Sequence, residues 1–226
     1  MPAAANTLDV GSSGGYNRFP FGYDASQPTN YQSGADYQQL FSAQDFASSP
    51  ILISAVSFAS SSNLSDAVLA SYSLDVHLGV AATSASSPST TFAANRGPRY
   101  QDVFSGPYTF APQRNDVFDL ILTLSSPFLY DPASGDLLLD VRLTGPSVIT
   151  GNALYFDGDL SDTDSRVFNA ASSASTGSTN AFTLYTEFTY TPQSSGSGSP
   201  VPEPATAATL ATAVGALFIF RKWRRS

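Results

Sequence analysis

The chain contains no cysteine, one histidine, one tryptophan and a single lysine among its 226 residues. Without cysteine it has no disulfides, thiolate metal ligands or cysteine nucleophiles, so burial of an apolar core must stabilise the fold. With one histidine, a zinc site or a Ser-His-Asp triad would have to include His77. His77 falls on the polar side of an alternating segment, and we interpret it as a surface side chain. The sequence therefore predicts no catalytic residue.

Positive charge is also scarce outside the carboxy terminus. Residues 1–200 contain six arginines against seventeen acidic side chains, a net charge of −11. Such a surface repels nucleic acid, and it favours solubility and attraction of divalent cations. This balance excludes nucleic-acid partners and is typical of a solvated, extracellular surface.

Strict alternation of apolar and polar residues is the main structural signal. In residues 72–80 every even position is apolar and the odd positions are small or polar, a pattern that predicts a strand with one buried face. Residues 84–95 could form a short turn of helix. The other predicted strands are residues 37–41, 51–58, 100–104, 118–124, 137–143, 153–156 and 182–190.

This pattern predicts an all-β fold, a jelly-roll-like antiparallel β-sandwich over residues 7–192. Low-complexity residues 169–180 are expected to form a long surface loop. Residues 193–200 are rich in serine and glycine and predict a flexible tether. Residues 1–6 are similar to the end of a signal-peptide cleavage region, so we expect a leader upstream.

The densest acidic cluster predicts a cation site. Four aspartates fall within eight residues, and carboxylate oxygens are the ligands that calcium prefers. The spacing does not match the EF-hand pattern, and a solvated, aspartate-rich turn is the alternative interpretation. The candidate calcium ligands are Asp157, Asp159, Asp162 and Asp164.

Aromatic side chains crowd the first 31 residues, where the strand pattern is weak. Aromatic rings presented by a β-sandwich can stack on the faces of sugars. Alternatively, such rings cover the open end of the sandwich. The candidate glycan contacts are Tyr16, Phe21 and Tyr23.

The last 26 residues form an ordered series of signals. The tetrapeptide Val201, Pro202, Glu203 and Pro204 precedes residues 205–220, which carry no charge and would span about 24 Å as a helix. The basic residues Arg221, Lys222, Arg224 and Arg225 follow. Because basic residues stay on the cytoplasmic side, the series predicts a transmembrane helix with the β domain outside.

This order of motif, apolar segment and basic end resembles the carboxy-terminal sorting domain of PEP-CTERM proteins. The resemblance implies that an exosortase, a membrane enzyme, recognises Val201 to Pro204 and cuts nearby. It further implies an exported protein of a Gram-negative bacterium, anchored first in the inner membrane and then placed on the cell surface or in the extracellular polysaccharide matrix of a biofilm.

The role of the β-sandwich is less constrained than its delivery. We expect a non-enzymatic structural or adhesive protein. One alternative is a carbohydrate-binding module that uses aromatic rings or a calcium loop. The other is a glycan-active enzyme that uses a pair of aspartates, since glycoside hydrolysis needs only two carboxylates across a cleft.

Overall fold

The computed structural model describes residues 4–26, 34–62, 65–161 and 163–193, and these residues form an antiparallel all-β structure. A single α-helical turn, α1 (Phe92–Asn95), occurs in the described part of the chain. It falls within the segment where the sequence predicted a turn of helix. The strands in chain order are β1 (Asn6–Val10), β2 (Gly15–Asn17), β3 (Tyr23–Asp24), β4 (Ala35–Phe41), β5 (Ile51–Ala59), β6 (Leu69–Val80), β7 (Gln101–Phe110), β8 (Phe118–Tyr130), β9 (Leu137–Leu143), β10 (Val148–Thr150), β11 (Ala153–Leu154), β12 (Phe156–Leu160), β13 (Ser165–Asn169), β14 (Ser178–Asn180), β15 (Phe182–Leu184) and β16 (Thr186–Pro192).

Two large sheets make up most of the structure. The first has the strand order β1-β16-β5-β8, and the second has the order β10-β6-β9-β4-β13-β14 with β7 added beside β6. All pairs in both sheets are antiparallel. The even positions of β6 from Tyr72 to Val80 are buried, as the alternation predicted.

The inner faces of the two sheets share one apolar core. Phe188 of the four-stranded sheet packs edge-on against Phe41 of the seven-stranded sheet, with ring centroids 5.0 Å apart. Phe46, just after β4, contacts Phe188 and lies 4.9 Å from the ring of Tyr130 on β8. Aromatic pairs at these distances add to the free energy gained by burying their area. The prediction of an antiparallel β-sandwich is confirmed.

Short strands close one end of this core. Strands β15, β12 and β2 form a three-stranded sheet, and β11 pairs with β3. The buried amide of Gln39 binds the first of these sheets to β4: its Nε2 donates to the Leu184 carbonyl and its Oε1 accepts from the Leu184 N–H, both at 3.0 Å. A side chain here replaces the backbone pairing that a neighbouring strand would supply.

The two ends of strand β5 mark the two ends of the sandwich. Pro192, at the end of the last strand, pairs with Ile51 at the start of β5, whereas Ser60, just after β5, bridges to Phe156 at the closed end. Nine residues separate these ends, about 30 Å at about 3.3 Å per residue. We call the end near Ser60 the distal end.

Three strand predictions need correction. The predicted strand 153–156 is divided between β11, which pairs with β3, and β12, which pairs with β15 and β2. Residues 182–190 form two strands, because β15 pairs with β12 and β16 pairs with β5. Residues 4–26, where little strand pattern was found, contain β1, β2 and β3, which are only five, three and two residues long. Residues 169–180, predicted as a surface loop, include β14 at their end.

Candidate functional site

The sorting motif and the basic cluster lie outside the described residues. The same holds for the apolar segment 205–220, where the transmembrane helix was predicted. Within the part of the chain that the structure describes, no helix is long and apolar enough to cross a membrane. Val201 to Pro204 and Arg221 to Arg225 therefore remain sequence predictions.

The aspartates of the predicted calcium site divide between two surroundings. Asp157 lies on β12, is 3% exposed and has an Oδ2 with no hydrogen-bond donor among the described residues. Burial raises its pKa to about 6, and the negative charges of Asp116 and Asp119 add to the shift. Asp157 thus belongs to a group formed with the loop before β8.

Asp159 and Asp164 line a different site, a polar pocket of about 220 Å³ that also includes Asp45. The Oδ1 of Asp164 accepts from the Ser42 N–H at 2.8 Å, and Asp159 accepts from the Ser12 hydroxyl at 3.1 Å. Burial raises the pKa of Asp164 to about 7, and the neighbouring Asp45 carboxylate contributes. Among the described residues, no basic side chain lines this pocket.

The oxygen-rich pocket has the right chemistry for a hard cation, but its carboxylates do not converge. Across residues 4–26, 34–62, 65–161 and 163–193, no three His, Cys, Asp or Glu side chains are arranged to hold a metal ion. Asp162, the fourth predicted ligand, lies outside the described residues. The structure brings Asp159 and Asp164 together and separates Asp157 from them.

The predicted glycan contacts also have different surroundings. Tyr16 is 57% exposed and is the only exposed aromatic side chain in the described part of the chain. Tyr23 is half-buried. Phe21 is 1% exposed, because its ring packs against Phe58 and Phe156 in the core. The inclusion of Phe21 was therefore wrong, and its ring covers the end of the sandwich instead.

Tyr155, which the sequence analysis did not select, completes the surface around Tyr16. The two rings meet edge to face with centroids 5.5 Å apart, and the Tyr155 hydroxyl donates to Oδ2 of Asp24 at 2.6 Å. The other oxygen of Asp24 accepts from the N–H and the hydroxyl of Ser26. Only the pairing of β12 with β2 and of β11 with β3 brings these residues together, so sequence spacing held no signal for them.

Hydrogen bonds between serines and aspartates hold the loops together at the distal end. Asp119 accepts from the N–H and hydroxyl of Ser60, and Asp116 accepts from the N–H and hydroxyl of Ser62. These contacts tie the loop before β8 to the end of β5. The acidic side chains thus organise loops here through backbone and hydroxyl donors rather than through basic partners.

A polar network covers the outer face of the seven-stranded sheet. Asp140 is 2% exposed, and its Oδ2 accepts from Gln38 Nε2 at 2.7 Å and from Arg96 Nε and the Tyr100 hydroxyl at 2.9 Å each. The predicted surface residue His77 is half-buried and stacks on Tyr100 with centroids 4.6 Å apart. Because Arg96 and Tyr100 hold the segment before β7 onto Asp140, and Gln38 joins β4 to the same carboxylate, we interpret the network as structural.

The described residues define an antiparallel β-sandwich that has an acidic pocket and, at its distal end, an exposed tyrosine. Comparison with known protein families gives no matching family model, and no curated protein matches the chain.

Proposed function

We propose that this chain is an exported bacterial surface protein whose β-sandwich has a structural or adhesive role. The observation that carries the proposal is the order of the terminal signals: Val201 to Pro204, the uncharged residues 205–220 and the basic cluster that begins at Arg221. This order resembles the PEP-CTERM sorting domain, and an exosortase is the proposed processing enzyme. The jelly-roll-like connection, the tether over 193–200 and the transmembrane helix belong to the same proposal.

The chemistry of the motif explains how an enzyme could read it. Pro202 and Pro204 have fixed backbone dihedrals and no N–H donor, so they disfavour helix on either side of Glu203. The extended backbone and one carboxylate are then available to a membrane enzyme. The apolar helix would hold the precursor in the inner membrane until the cut releases the domain to the cell surface or the polysaccharide matrix.

The β-sandwich has properties that suit such a location. Its loops are held by aspartates that accept from backbone and hydroxyl donors, as at Asp116 and Asp119, which needs neither cysteine nor lysine. The acidic surface keeps the domain soluble and limits adhesion to anionic lipids. These features support a durable extracellular domain, and a non-enzymatic one is our first choice.

The processing proposal is tested by mass spectrometry of the mature protein from its native host. We expect the carboxy terminus to lie near Pro202, and replacement of the motif by P202A and E203Q together should leave the precursor uncut. The double variant R224Q/R225Q is the matched control, because it changes the same terminus but leaves the motif intact. An intact end at Ser226 in the mature wild-type protein would overturn the proposal.

A carbohydrate-binding module is the second candidate function. The exposed ring of Tyr16 favours it, since an exposed aromatic ring that is held in place can stack on a sugar face. A glycan-active enzyme is less well supported: the pKa values of Asp157 and Asp116 shift in opposite directions, but Asp157 is buried away from any substrate. Calcium at the pocket of Asp159 and Asp164 would serve either binding or stability.

A further inference from the structure

The surface around Tyr16 combines an exposed ring with fixed hydrogen-bonding groups. Tyr16 is 57% exposed, and the edge contact with Tyr155 at 5.5 Å supports its ring from one side. Asp24 lies next to Tyr155 and is partly exposed. We call Tyr16, Tyr155 and Asp24 together the distal tyrosine site.

Backbone pairing holds the three side chains in place before any ligand arrives. Tyr16 lies opposite Asp157 in the β2–β12 pair, and Asp24 lies opposite Ala153 in the β3–β11 pair. The Tyr155 carbonyl, between these pairs, accepts from the Ser61 N–H at 2.8 Å. A site that is already ordered loses little conformational entropy on binding.

The polar groups of the site suit hydroxyl groups. Hydrogen bonds from Ser26 and Tyr155 lower the pKa of Asp24, so its carboxylate is ionised at neutral pH. An ionised carboxylate accepts strong hydrogen bonds from sugar hydroxyls. The ring of Tyr16 meanwhile offers an apolar face to the C–H groups of a pyranose.

The charge around the site selects among polysaccharides. Asp24 accepts a hydrogen bond from Tyr155, and the positive charge of Arg18 lies close enough to act on both side chains. The whole of residues 1–200 carries a net charge of −11. An acidic polysaccharide would be repelled by this surface, so a neutral one is the better fit.

The distal tyrosine site lies at the end of the sandwich opposite the carboxy-terminal end of the last strand. Tyr155 lies beside Ser61 at the distal end of β5, while the last strand ends beside Ile51 at the other end. The separation along β5 is about 30 Å. Binding at the distal tyrosine site therefore leaves the carboxy-terminal end of the sandwich uncovered.

We propose that the distal tyrosine site binds a neutral, hexose-based polysaccharide, with the Tyr16 ring stacked on a sugar face and Asp24 accepting its hydroxyls. The inference names the ligand class for the adhesive role and rests on that proposed function only for its biological setting. Binding itself requires neither export nor cleavage.

Affinity electrophoresis of the full 226-residue chain tests the proposal, in a detergent without a sugar headgroup. The probes are a neutral β-glucan, a neutral galactomannan and the acidic polysaccharide alginate. We expect at least one neutral probe to retard the wild-type protein and alginate to have no effect. Retardation by alginate alone, or by none of the three, would overturn the proposal.

Three variants locate the binding. Y16A should weaken it about tenfold, because about 60 Å² of apolar contact would be lost, whereas Y16F should bind like the wild type. Y155F retains the ring but removes the hydrogen bond to Asp24, and we expect an intermediate loss. The matched control is L129A, since Leu129 is 45% exposed but lies on β8 near the start of β5.

Thermal unfolding of the same variants separates a loss of binding from a loss of folding. Tyr16 is exposed, so Y16A should unfold at the wild-type temperature. Equal affinity of a folded Y16A and the wild type would refute the site. Mass spectrometry of the mature carboxy terminus is independent of this outcome, so failure of glycan binding leaves the processing proposal standing.

Discussion

The two faces of the seven-stranded sheet are both buried in places, but by different chemistry. The inner face meets the other sheet through side chains such as Phe41, Val76 and Val141, which are fully buried. The outer face carries Asp140 and Gln38, which are equally buried but polar. Burial alone therefore does not separate the two faces.

What covers each face explains the difference. The four-stranded sheet covers most of the inner face and meets it with side chains, so an apolar surface is sufficient there, whereas Gln39 serves the backbone of Leu184 where the short strands close the end. The irregular segment around α1 covers the outer face, and its backbone and polar groups need partners. Gln38, whose Nε2 donates to the Phe92 carbonyl and whose Oε1 accepts from Asn95, supplies them. A small apolar cluster of Leu40, Ala85, Phe92, Leu138 and Val167 fills the rest.

The largest expected effect is on the inner face. F188A should lower the free energy of unfolding by about 3–5 kcal/mol, because it removes a fully buried ring that contacts Phe41 and Phe46 and leaves a cavity. Urea unfolding of the full chain followed by circular dichroism measures the change. A loss below about 1 kcal/mol would mean that the two sheets do not share this core.

A smaller effect is expected on the outer face. D140N preserves the shape of the side chain but removes the charge that accepts from Arg96, Gln38 and Tyr100, so we expect a loss of about 2 kcal/mol. The matched control is D102N, since Asp102 lies two strands away in the same cross-strand row but is exposed.

Equal stabilities of D140N and D102N would contradict the structural role of the network. Hydrogen exchange at residues 92–95 separates the alternatives further. Loss of the network should raise exchange in this segment before it affects β9, because the segment is held mainly by the polar contacts.

The inner face could be predicted from sequence and the outer face could not. Alternation identified β9 at residues 137–143 and placed Leu139 and Val141 inside, as the structure shows. The same alternation predicted His77 as a surface residue, and nothing in it indicated that Asp140, between Leu139 and Val141, is buried. A period of two reports which residues share a face, but it does not report whether a later segment covers that face.

The candidate site shows the same limit. Tyr16 was selected because aromatic side chains are visible in the sequence, and its exposure agrees with that selection. Phe21, five residues later, looked equivalent but is core. Tyr155 and Asp24, separated by 131 residues, are joined only by the pairing of short strands that the sequence pattern did not show. The pairing of strands distant in sequence therefore determines which aromatic side chain is exposed for binding.

Asp164 and Asp45 are neighbouring carboxyl groups that differ in their hydrogen-bond donors. Asp164 precedes β13, and its neighbour Asp45 has a buried Oδ2 without a donor among the described residues. The folded pKa of Asp164, about 7, is raised above its unfolded value, so protonation stabilises the fold.

That stability is fully present below about pH 4 and is lost as the pH rises towards about 7. We expect wild-type stability to fall by about 2 kcal/mol more than that of D164N over this range, in urea titrations at several pH values. Parallel pH profiles for the two proteins would contradict the shared burial of the two carboxyl groups.

The smallest expected effect is that of calcium above pH 7, where the Asp164 carboxyl, whose pKa burial raises to about 7, is ionised. Asp159 and Asp164 line one oxygen-rich pocket, but no third acidic ligand among the described residues converges with them, so we expect only weak binding and about 1 kcal/mol of stabilisation at about five times the Kd for calcium. The measurement is the unfolding temperature with calcium, with magnesium and after chelation. D164N should remove the calcium response, and D157N should retain it because Asp157 faces the other acidic group. An equal response to calcium and magnesium in all three proteins would show charge screening instead of a site, and no response would refute the predicted calcium ligands.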